Sequence, residues 1–329
     1  MYHWQLIGII VIALVFEFIN GFHDTANVVA TSIATRSLAP KQAIVLAALF
    51  NVAGAFFGTG VAATITHGLI DSVFVNDTLL MAALSSAIIW NLITWWFGIP
   101  SSSSHALIGS ICGAALVQGG WSAVHVGVVT QKVIMPMIVS PIIGFVLAFI
   151  FMVILTNILD KYRNPRKSSD FLRELQAYST ALLAFSHGSN DAQKTMAVIT
   201  MALFSFGVVT TMHIPFLVIV ACAVAMGLGT LSGGMRIIKT LSTKVAKLRP
   251  ANGFAAEMST GLLILCASSI GLPVSTTQAA SGSIMGAGST GKFGVNWVVV
   301  RSMATAWILT LPACALFAMV MFKLFSLFA

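Results

Sequence analysis

Long apolar runs dominate the pattern of hydrophobic and polar positions along the chain. A helix needs about 20 mostly apolar residues to cross the hydrocarbon core of a bilayer. Runs approaching or exceeding that length occupy residues 4–22, 41–66, 78–98, 133–158, 172–186, 195–231, 254–271 and 296–328. Two shorter runs rich in small residues, 101–118 and 274–290, are either further spans or re-entrant hairpins. The pattern predicts an all-α, polytopic membrane protein.

Composition and the placement of charge agree with this prediction. Of 329 residues, 58% are hydrophobic and only 8% are charged, whereas roughly 25% are charged in a soluble domain. Basic residues gather after the first run, in the polar linker 159–171 and in the loop 236–249. With five segments on each side of the linker, these loops share one face, which the positive-inside rule makes cytoplasmic. The net charge of +8 therefore indicates topology in the cell (inner) membrane, with the N-terminus outside, rather than nucleic-acid binding.

The chain contains an internal repeat. Residues 98–114 and 271–287 share nine of 17 positions at an offset of 173, beginning with Gly-x-Pro in both copies. A second pair, Phe18-x-x-Gly-x-x-Asp24 and Phe185-x-x-Gly-x-x-Asp191, follows in the same order. Because each half has about five segments, an odd number, the second half enters the membrane upside down. We predict inverted repeats over 1–158 and 172–329 with discontinuous helices, an arrangement typical of secondary transporters.

Four of the nine acidic residues lie in apolar surroundings: Glu17, Asp24, Asp191 and Glu257. A carboxylate inside a bilayer is costly and marks a functional site by default. Asp24 and Asp191 are related by the repeat, and each follows a glycine by three residues. We expect the helices to break at these glycines and to expose backbone groups that bind a cation beside the carboxylates. The alternative is that the aspartates only cap helices or pair with Lys194. For Glu17 and Glu257 a structural role stays equally open.

Hydroxyl side chains follow both repeated Gly-x-Pro sequences, at Ser101–Ser104 and at Ser275–Thr277. Proline ends the preceding helix, and a hydroxyl is a good cap for the next one. Free backbone N–H groups, the positive end of the helix dipole and several hydroxyl donors then meet, which suits an oxyanion such as phosphate or sulfate. Ordinary helix capping is the alternative interpretation of each cluster.

Lys194 stands where the first half has Asn27. A lysine in an apolar run is costly unless it meets a carboxylate or a bound anion. Our hypothesis is that its ammonium group replaces a metal cation on that side of the site; snorkelling to a nearby surface is the alternative. His23 and His187 flank the same motifs and are candidates to carry protons or to serve as hydrogen-bonding residues.

Three motifs resemble signatures of the inorganic phosphate transporter (PiT) family. They are Asn20-Gly-Phe-His-Asp-Thr-Ala-Asn27, Ser186-His-Gly-Ser-Asn-Asp-Ala-Gln-Lys-Thr195 and Gly271-Leu-Pro-Val-Ser-Thr-Thr277. Their variants look like those of the bacterial low-affinity subgroup. The resemblance implies secondary active transport of inorganic phosphate, alone or as a metal–phosphate complex, by cation symport with H+ favoured over Na+. It also implies a homodimer in the lipid bilayer, no enzymatic activity and no cofactor.

The resemblance and the residue patterns together define the expected site. Its substrate-binding residues are Ser101, Ser102, Ser103, Ser104, Ser275, Thr276, Thr277, Lys194 and Thr195. Its cation or coupling residues are Asp24, Asn27, Asn190, Asp191 and His187, with Asp24 and Asp191 as ligands of any co-bound divalent metal. A sulfate symporter of the same family and a passive anion channel are the alternatives. The dispersed acids argue against an intramembrane hydrolase, which needs a nucleophile with a base or a metal cluster.

Overall fold

The computed structural model describes residues 3–159, 165–291 and 294–327. Over these residues the chain is helical and forms no β-strand beyond two isolated bridges. The first half contains α1 (His3–Ala34), α2 (Pro40–Ala55), α3 (Gly60–Gly68), α4 (Asp77–Phe97), α5 (Ser103–Gly119), α6 (Val126–Val129) and α7 (Met135–Leu159). The second half contains α8 (Pro165–Ser205), α9 (Phe216–Ser232), α10 (Met235–Thr243), α11 (Pro250–Ser269), α12 (Thr276–Ser289) and α13 (Trp297–Phe325). The predicted all-α fold is confirmed.

Several helices are long and apolar enough to cross a membrane. Among the described residues five helices meet this test on length and composition, and up to seven do so if each bent pair of helices counts as one span. The bent pairs are α2 with α3, at 65°, and α9 with α10, at 67°. At 14 residues, α12 is about 21 Å long. It falls short of the roughly 30 Å hydrocarbon core, so α12 does not cross a bilayer alone.

The predicted helix breaks at Gly21 and Gly188 are wrong. Both α1 and α8 continue through these glycines, and the interruptions fall instead at the two bends and before α5 and α12. The glycines permit close packing of helices. A Cβ at Gly21 would lie 2.4 Å from the carbonyl oxygen of Met226, and one at Gly188 would lie 2.1 Å from that of Asn51. Only a residue without a side chain allows such an approach.

Two other predicted boundaries also change. The continuous α8 joins the runs expected at 172–186 and at the start of 195–231, and α9 forms the rest of the second run. Of the predicted linker 159–171, residues 165–171 belong to α8, while 160–164 lie outside the described residues. Serine, asparagine and aspartate around the centre of α8 lower its hydropathy. In the sequence, this buried polar segment of a helix therefore has the same pattern as a loop between two helices.

Contacts between the halves repeat with the sequence. α1 packs on α9 as α8 packs on α2, and α5 packs on α13 as α12 packs on α7. The small residues at these contacts correspond too: Gly109 lies against the backbone of Leu311, and Gly282 lies against that of Pro141. This pairing supports the two-repeat prediction, while the inverted orientation of the halves stays a prediction.

The starts of α5 and α12 both lie at the buried Asp24. α4 ends at Gly98 and α11 is followed by Gly271, both with positive φ (65° and 69°), which turns the chain sharply. Short extended segments then lead to Ser102 and Ser275, the N-caps of the two helices. The starts of both helices lie beside α1 and α8, which brings the hydroxyl clusters to the buried aspartates.

Candidate functional site

Asp24 lies between the starts of α5 and α12. The Ser103 hydroxyl donates to its Oδ2 at 2.5 Å, and the Thr277 hydroxyl lies 3.5 Å from its Oδ1. His23 places Nδ1 2.7 Å from the same Oδ1, while its Nε2 lies 3.2 Å from the Thr94 hydroxyl. The first carboxylate is therefore held by groups from three helices and from both halves of the chain.

Asp191 has a corresponding environment with a different charge partner. The ammonium group of Lys194, one helical turn later, donates to its Oδ1, and the Thr276 hydroxyl donates to its Oδ2 at 3.0 Å. His187 Nε2 lies 3.2 Å from Oδ2 without hydrogen-bond geometry, and its Nδ1 lies 3.1 Å from the side-chain oxygen of Asn51. Asp191 thus pairs with a fixed cation, whereas Asp24 does not.

Two side chains cross from one half to the other. Asn27 donates through Nδ2 to the Thr277 hydroxyl at 2.9 Å. Its repeat counterpart Lys194 donates to the Ser104 hydroxyl at the start of α5 and lies 3.3 Å from the carbonyl oxygen of Val274. Each aspartate-bearing helix therefore contacts both hydroxyl clusters, and the site depends on the docking of the two halves.

The cluster is closed to solvent. None of the predicted site residues exposes more than 4% of its surface, and Lys194 exposes 2%. The snorkelling alternative for Lys194 is therefore wrong, because its ammonium group is buried against Asp191. Burying charges of both signs is costly unless they are paired and hydrogen-bonded, and the hydroxyls of Ser104 and Thr276 supply those bonds here.

Asp24, His187 and Asp191 form a group that fits a metal ion. Each offers one ligand atom, and the three atoms lie within 4.8 Å of one another. Two carboxylate oxygens and an imidazole nitrogen are ligands suited to divalent transition metals. The aspartates that the sequence predicted as metal ligands are thus brought together, with His187 as a third candidate ligand.

Several predicted site residues contact groups other than Asp24 and Asp191. The hydroxyls of Ser102 and Ser275 cap their helices by accepting from the backbone N–H groups of His105 and Gln278. Asn190 donates to Ser268 and to the carbonyl oxygen of Leu272. Thr195 donates to Glu17, and Ser101 donates to Thr94. Capping therefore describes Ser102 and Ser275, while the next two hydroxyls in each cluster contact the charged groups.

Two side chains that orient the site were not predicted as members of it. Asn20 places its side-chain oxygen 2.7 Å from the hydroxyl oxygen of Ser103, and Asn51 contacts His187. Both are amides inside apolar runs, a signal that was available in the sequence. Thr94 gave no comparable signal, because single threonines are common in membrane helices.

The two bent helix pairs hold the loops that carry the hydroxyls. The Thr240 hydroxyl in α10 donates to the carbonyl oxygen of Gly98 at 2.9 Å. The Thr64 hydroxyl in α3 donates to the carbonyl oxygen of Gly271 at 2.7 Å. Arg236 strengthens the first contact only: it donates to the carbonyl oxygen of Trp96 and lies 4.2 Å from the centre of that ring. Each loop is thus clasped by a short helix from the other half.

A multi-span helical protein with a closed, charged cluster where two short helices begin belongs to the class of membrane transporters, because such groups within a membrane form solute and ion pathways. More specifically, the chain belongs to the phosphate transporter family, whose model matches residues 20–318. The predicted family resemblance is confirmed.

Curated relatives match along nearly the whole chain. A protein of Bacillus subtilis is 47% identical over 93% of this chain and 93% of its own length. One of Rhizobium meliloti is 43% identical over 94% of this chain and 93% of its own length. Both are named "Probable low-affinity inorganic phosphate transporter". Since the family and these relatives are transporters, the prediction that the chain is not an enzyme is also confirmed.

A solved structure has the same fold. It is described as "The sodium-dependent phosphate transporter" and matches with a TM-score of 0.90 over 99% of this chain and 100% of its own. The two sequences are 24% identical, so this likeness establishes the fold alone.

Proposed function

We propose that this protein carries inorganic phosphate across the cell (inner) membrane by cation symport, with H+ favoured over Na+. The observation that carries the proposal is the convergence of two hydroxyl-bearing helix starts on a buried pair of aspartates and a lysine. Hydroxyl and backbone N–H donors at helix starts bind oxyanions. The names of the curated relatives, which refer to inorganic phosphate, favour phosphate over sulfate as the anion.

Charge balance supports coupling to cations. Asp24 and Asp191 carry two negative charges and Lys194 carries one positive charge, so these three groups leave the cluster net negative. A phosphate dianion would raise the negative charge of a site shielded from water, which is costly in a low-dielectric interior. Phosphate entry therefore needs compensating positive charge, supplied by protons or by a metal that Asp24, His187 and Asp191 bind together with the anion.

Lys194 favours the proton over sodium. Its ammonium group occupies the position beside Asp191 where an external cation would otherwise bind, and it also contacts Ser104. With this fixed charge in place, one cation-binding position is already filled by the protein. The neighbouring Thr276 hydroxyl and the ammonium group can then turn toward phosphate.

The proposal includes an architecture. The halves 1–158 and 172–329 are inverted repeats, the N-terminus is outside, and the substrate-binding cluster lies near the middle of the bilayer. The matching contacts of α1 with α9 and of α8 with α2 support this arrangement. The assembly is proposed to be a homodimer in the lipid membrane.

Purified protein in proteoliposomes tests the function. We expect labelled phosphate to exchange across the membrane and to accumulate when an inward proton gradient is imposed. Accumulation driven by a sodium gradient alone would overturn the choice of coupling ion. Counterflow stimulated by sulfate and not by phosphate would overturn the substrate. Equilibration without accumulation under either gradient would indicate a passive channel.

A further inference from the structure

Two buried carboxylates outside the central cluster differ sharply in their surroundings. Glu17 and Glu257 are both fully buried. Neither is repeated in the other half, where Ala184 and Leu84 stand at the corresponding positions. The two glutamates are therefore additions to the repeated framework, and their partners separate their roles.

Glu257 is fully hydrogen-bonded. It accepts from Thr31 at 2.5 Å and from Gln176 at 2.9 Å through Oε1, and from Ser179 at 2.5 Å and Thr180 at 3.0 Å through Oε2. Four donors from α1 and α8 satisfy both oxygens of the carboxylate. These hydrogen bonds hold α11 against α1 and α8, and both carboxylate oxygens of Glu257 have partners.

Glu17 has one unpartnered oxygen. The Thr195 hydroxyl donates to Oε2, whereas Oε1 is buried without a hydrogen-bond partner among the described residues. A carboxylate oxygen shielded from water requires a proton or a cation at that position. A metal cation needs several oxygen ligands, whereas the side chains that hydrogen-bond with Glu17 among the described residues are the Thr195 hydroxyl and the Asn20 amide. The geometry therefore suits a proton.

Glu17 is close enough to influence the central cluster. It precedes Asp24 by seven residues on α1, which is about 10 Å along the helix axis. The titratable groups within electrostatic range of Glu17 are Asp191 and Lys194 of α8 and the Cys222 thiol of α9. Thr195 directly follows Lys194 in α8. The hydroxyl that donates to Glu17 and the ammonium group of the central cluster are therefore carried by the same helical turn.

We propose that Glu17 is the proton-carrying coupling residue of the transport cycle. This inference rests on the proposed function. A proton from water on the outer side forms an O–H bond at Oε1 and removes one negative charge from the neighbourhood of Asp191 and Lys194, which favours phosphate entry. After phosphate leaves on the inner side, the O–H bond breaks and the proton passes to water there. One proton enters and one leaves in each cycle.

The substitution Glu17→Gln tests this role. The amide has the shape of the acid, and its oxygen can still accept from Thr195, but it carries no exchangeable acidic proton. We expect phosphate counterflow at equal pH to be retained while accumulation driven by a proton gradient, and its dependence on pH, are lost. Proton-driven accumulation at the wild-type level in Glu17→Gln would overturn the proposal. So would loss of counterflow in correctly folded protein, which would assign Glu17 to anion binding.

The matched control is Glu257→Gln, the same change at the hydrogen-bonded glutamate. We expect it to lower thermal stability and to leave the coupling of phosphate to protons intact; loss of coupling in Glu257→Gln alone would overturn the assignment. If Glu17→Gln fails to fold, Thr195→Val supplies the test, because removal of the donor to Glu17 should shift the pH dependence of proton-driven accumulation. An unchanged pH dependence in Thr195→Val contradicts the proposal. Absence of phosphate counterflow in the wild-type protein would refute the proposed function itself.

Discussion

Asn27 Nδ2 lies 2.9 Å from the hydroxyl oxygen of Thr277, a residue 250 positions further along the chain. In the repeat-related place, Lys194 reaches across to Ser104. In each contact a side chain of one half binds a hydroxyl of the other half. Each half therefore supplies one helix with an aspartate and one hydroxyl cluster that is bound by the opposite half. The closed site therefore exists only when the halves dock.

Replacement of Lys194 should change the coupling ion. In Lys194→Asn the second half acquires the residue that the first half has, and Asp191 loses its charge partner. We expect phosphate uptake to become dependent on sodium, because an external cation is then needed beside Asp191. Uptake into proteoliposomes under separate sodium and proton gradients measures the change.

The exposed Lys239 provides a control for Lys194. Lys239→Asn removes the same charge from the exposed surface of α10 and should leave the coupling ion unchanged. Loss of a partner from a buried ion pair costs about 3–5 kcal/mol, so Lys194→Asn should also unfold at lower temperature in the absence of sodium. The same ion dependence in Lys194→Asn and in the wild type would refute the role of the ammonium group.

The hydroxyl of Thr276 should matter more than other buried hydroxyls of α12. Thr276→Val keeps the size of the side chain but removes the donor to Asp191, at a cost of about 1–3 kcal/mol. We expect a corresponding loss of apparent phosphate affinity, measured by concentration-dependent uptake. Ser281→Ala in the same helix is the control, because the buried Ser281 hydroxyl has no hydrogen-bond partner among the described residues. Equal effects of the two changes would show that α12 is sensitive to any substitution.

A methyl group at either repeated glycine should separate packed helices. In Gly21→Ala and Gly188→Ala the new Cβ would meet the backbone of the facing helix at 2.4 Å and 2.1 Å. Overpacking of this kind costs about 1–3 kcal/mol, and the thermal unfolding temperature in detergent should fall. Gly8→Ala, where no atom lies within 4 Å of the new Cβ, should change it little. Unaltered unfolding of Gly188→Ala would contradict the close packing against Asn51.

The sequence predicted the fold class and the chemistry better than the course of the helices. Buried acids and hydroxyls after Gly-x-Pro were sufficient to locate Asp24, Asp191, Ser103 and Thr276, because such groups are costly in a membrane without a role. The prediction of helix breaks at Gly21 and Gly188 was wrong. A glycine among polar residues gives the same sequence pattern whether it ends a helix or allows close packing of a second helix. That distinction depends on the facing backbone, which lies far away in the sequence.

The hydrogen-bond partners of individual side chains could not be predicted from the sequence either. Thr195 is adjacent to Lys194 in the second signature, yet it points to Glu17. Asn190 is adjacent to Asp191, yet it braces the segment before α12 through the carbonyl oxygen of Leu272. Neighbouring residues on a helix differ in direction by about 100°, so residues from one motif served different parts of the site. Only the positions of α1 and α11 decided which.

The inverted orientation of the repeats predicts opposite labelling of two equivalent loops. Ser72 follows α3 in a connection without lysine or arginine, and Thr243 ends α10 in a loop rich in both. The positive-inside rule places the basic loop in the cytoplasm, so the inverted repeat places Ser72 outside. In a variant whose four native cysteines are replaced by alanine or serine, Ser72→Cys should react with a membrane-impermeant maleimide in intact cells. Thr243→Cys should react only after permeabilisation, as a cysteine placed at Lys239 should. Labelling of both positions from the same side would refute the inverted repeat.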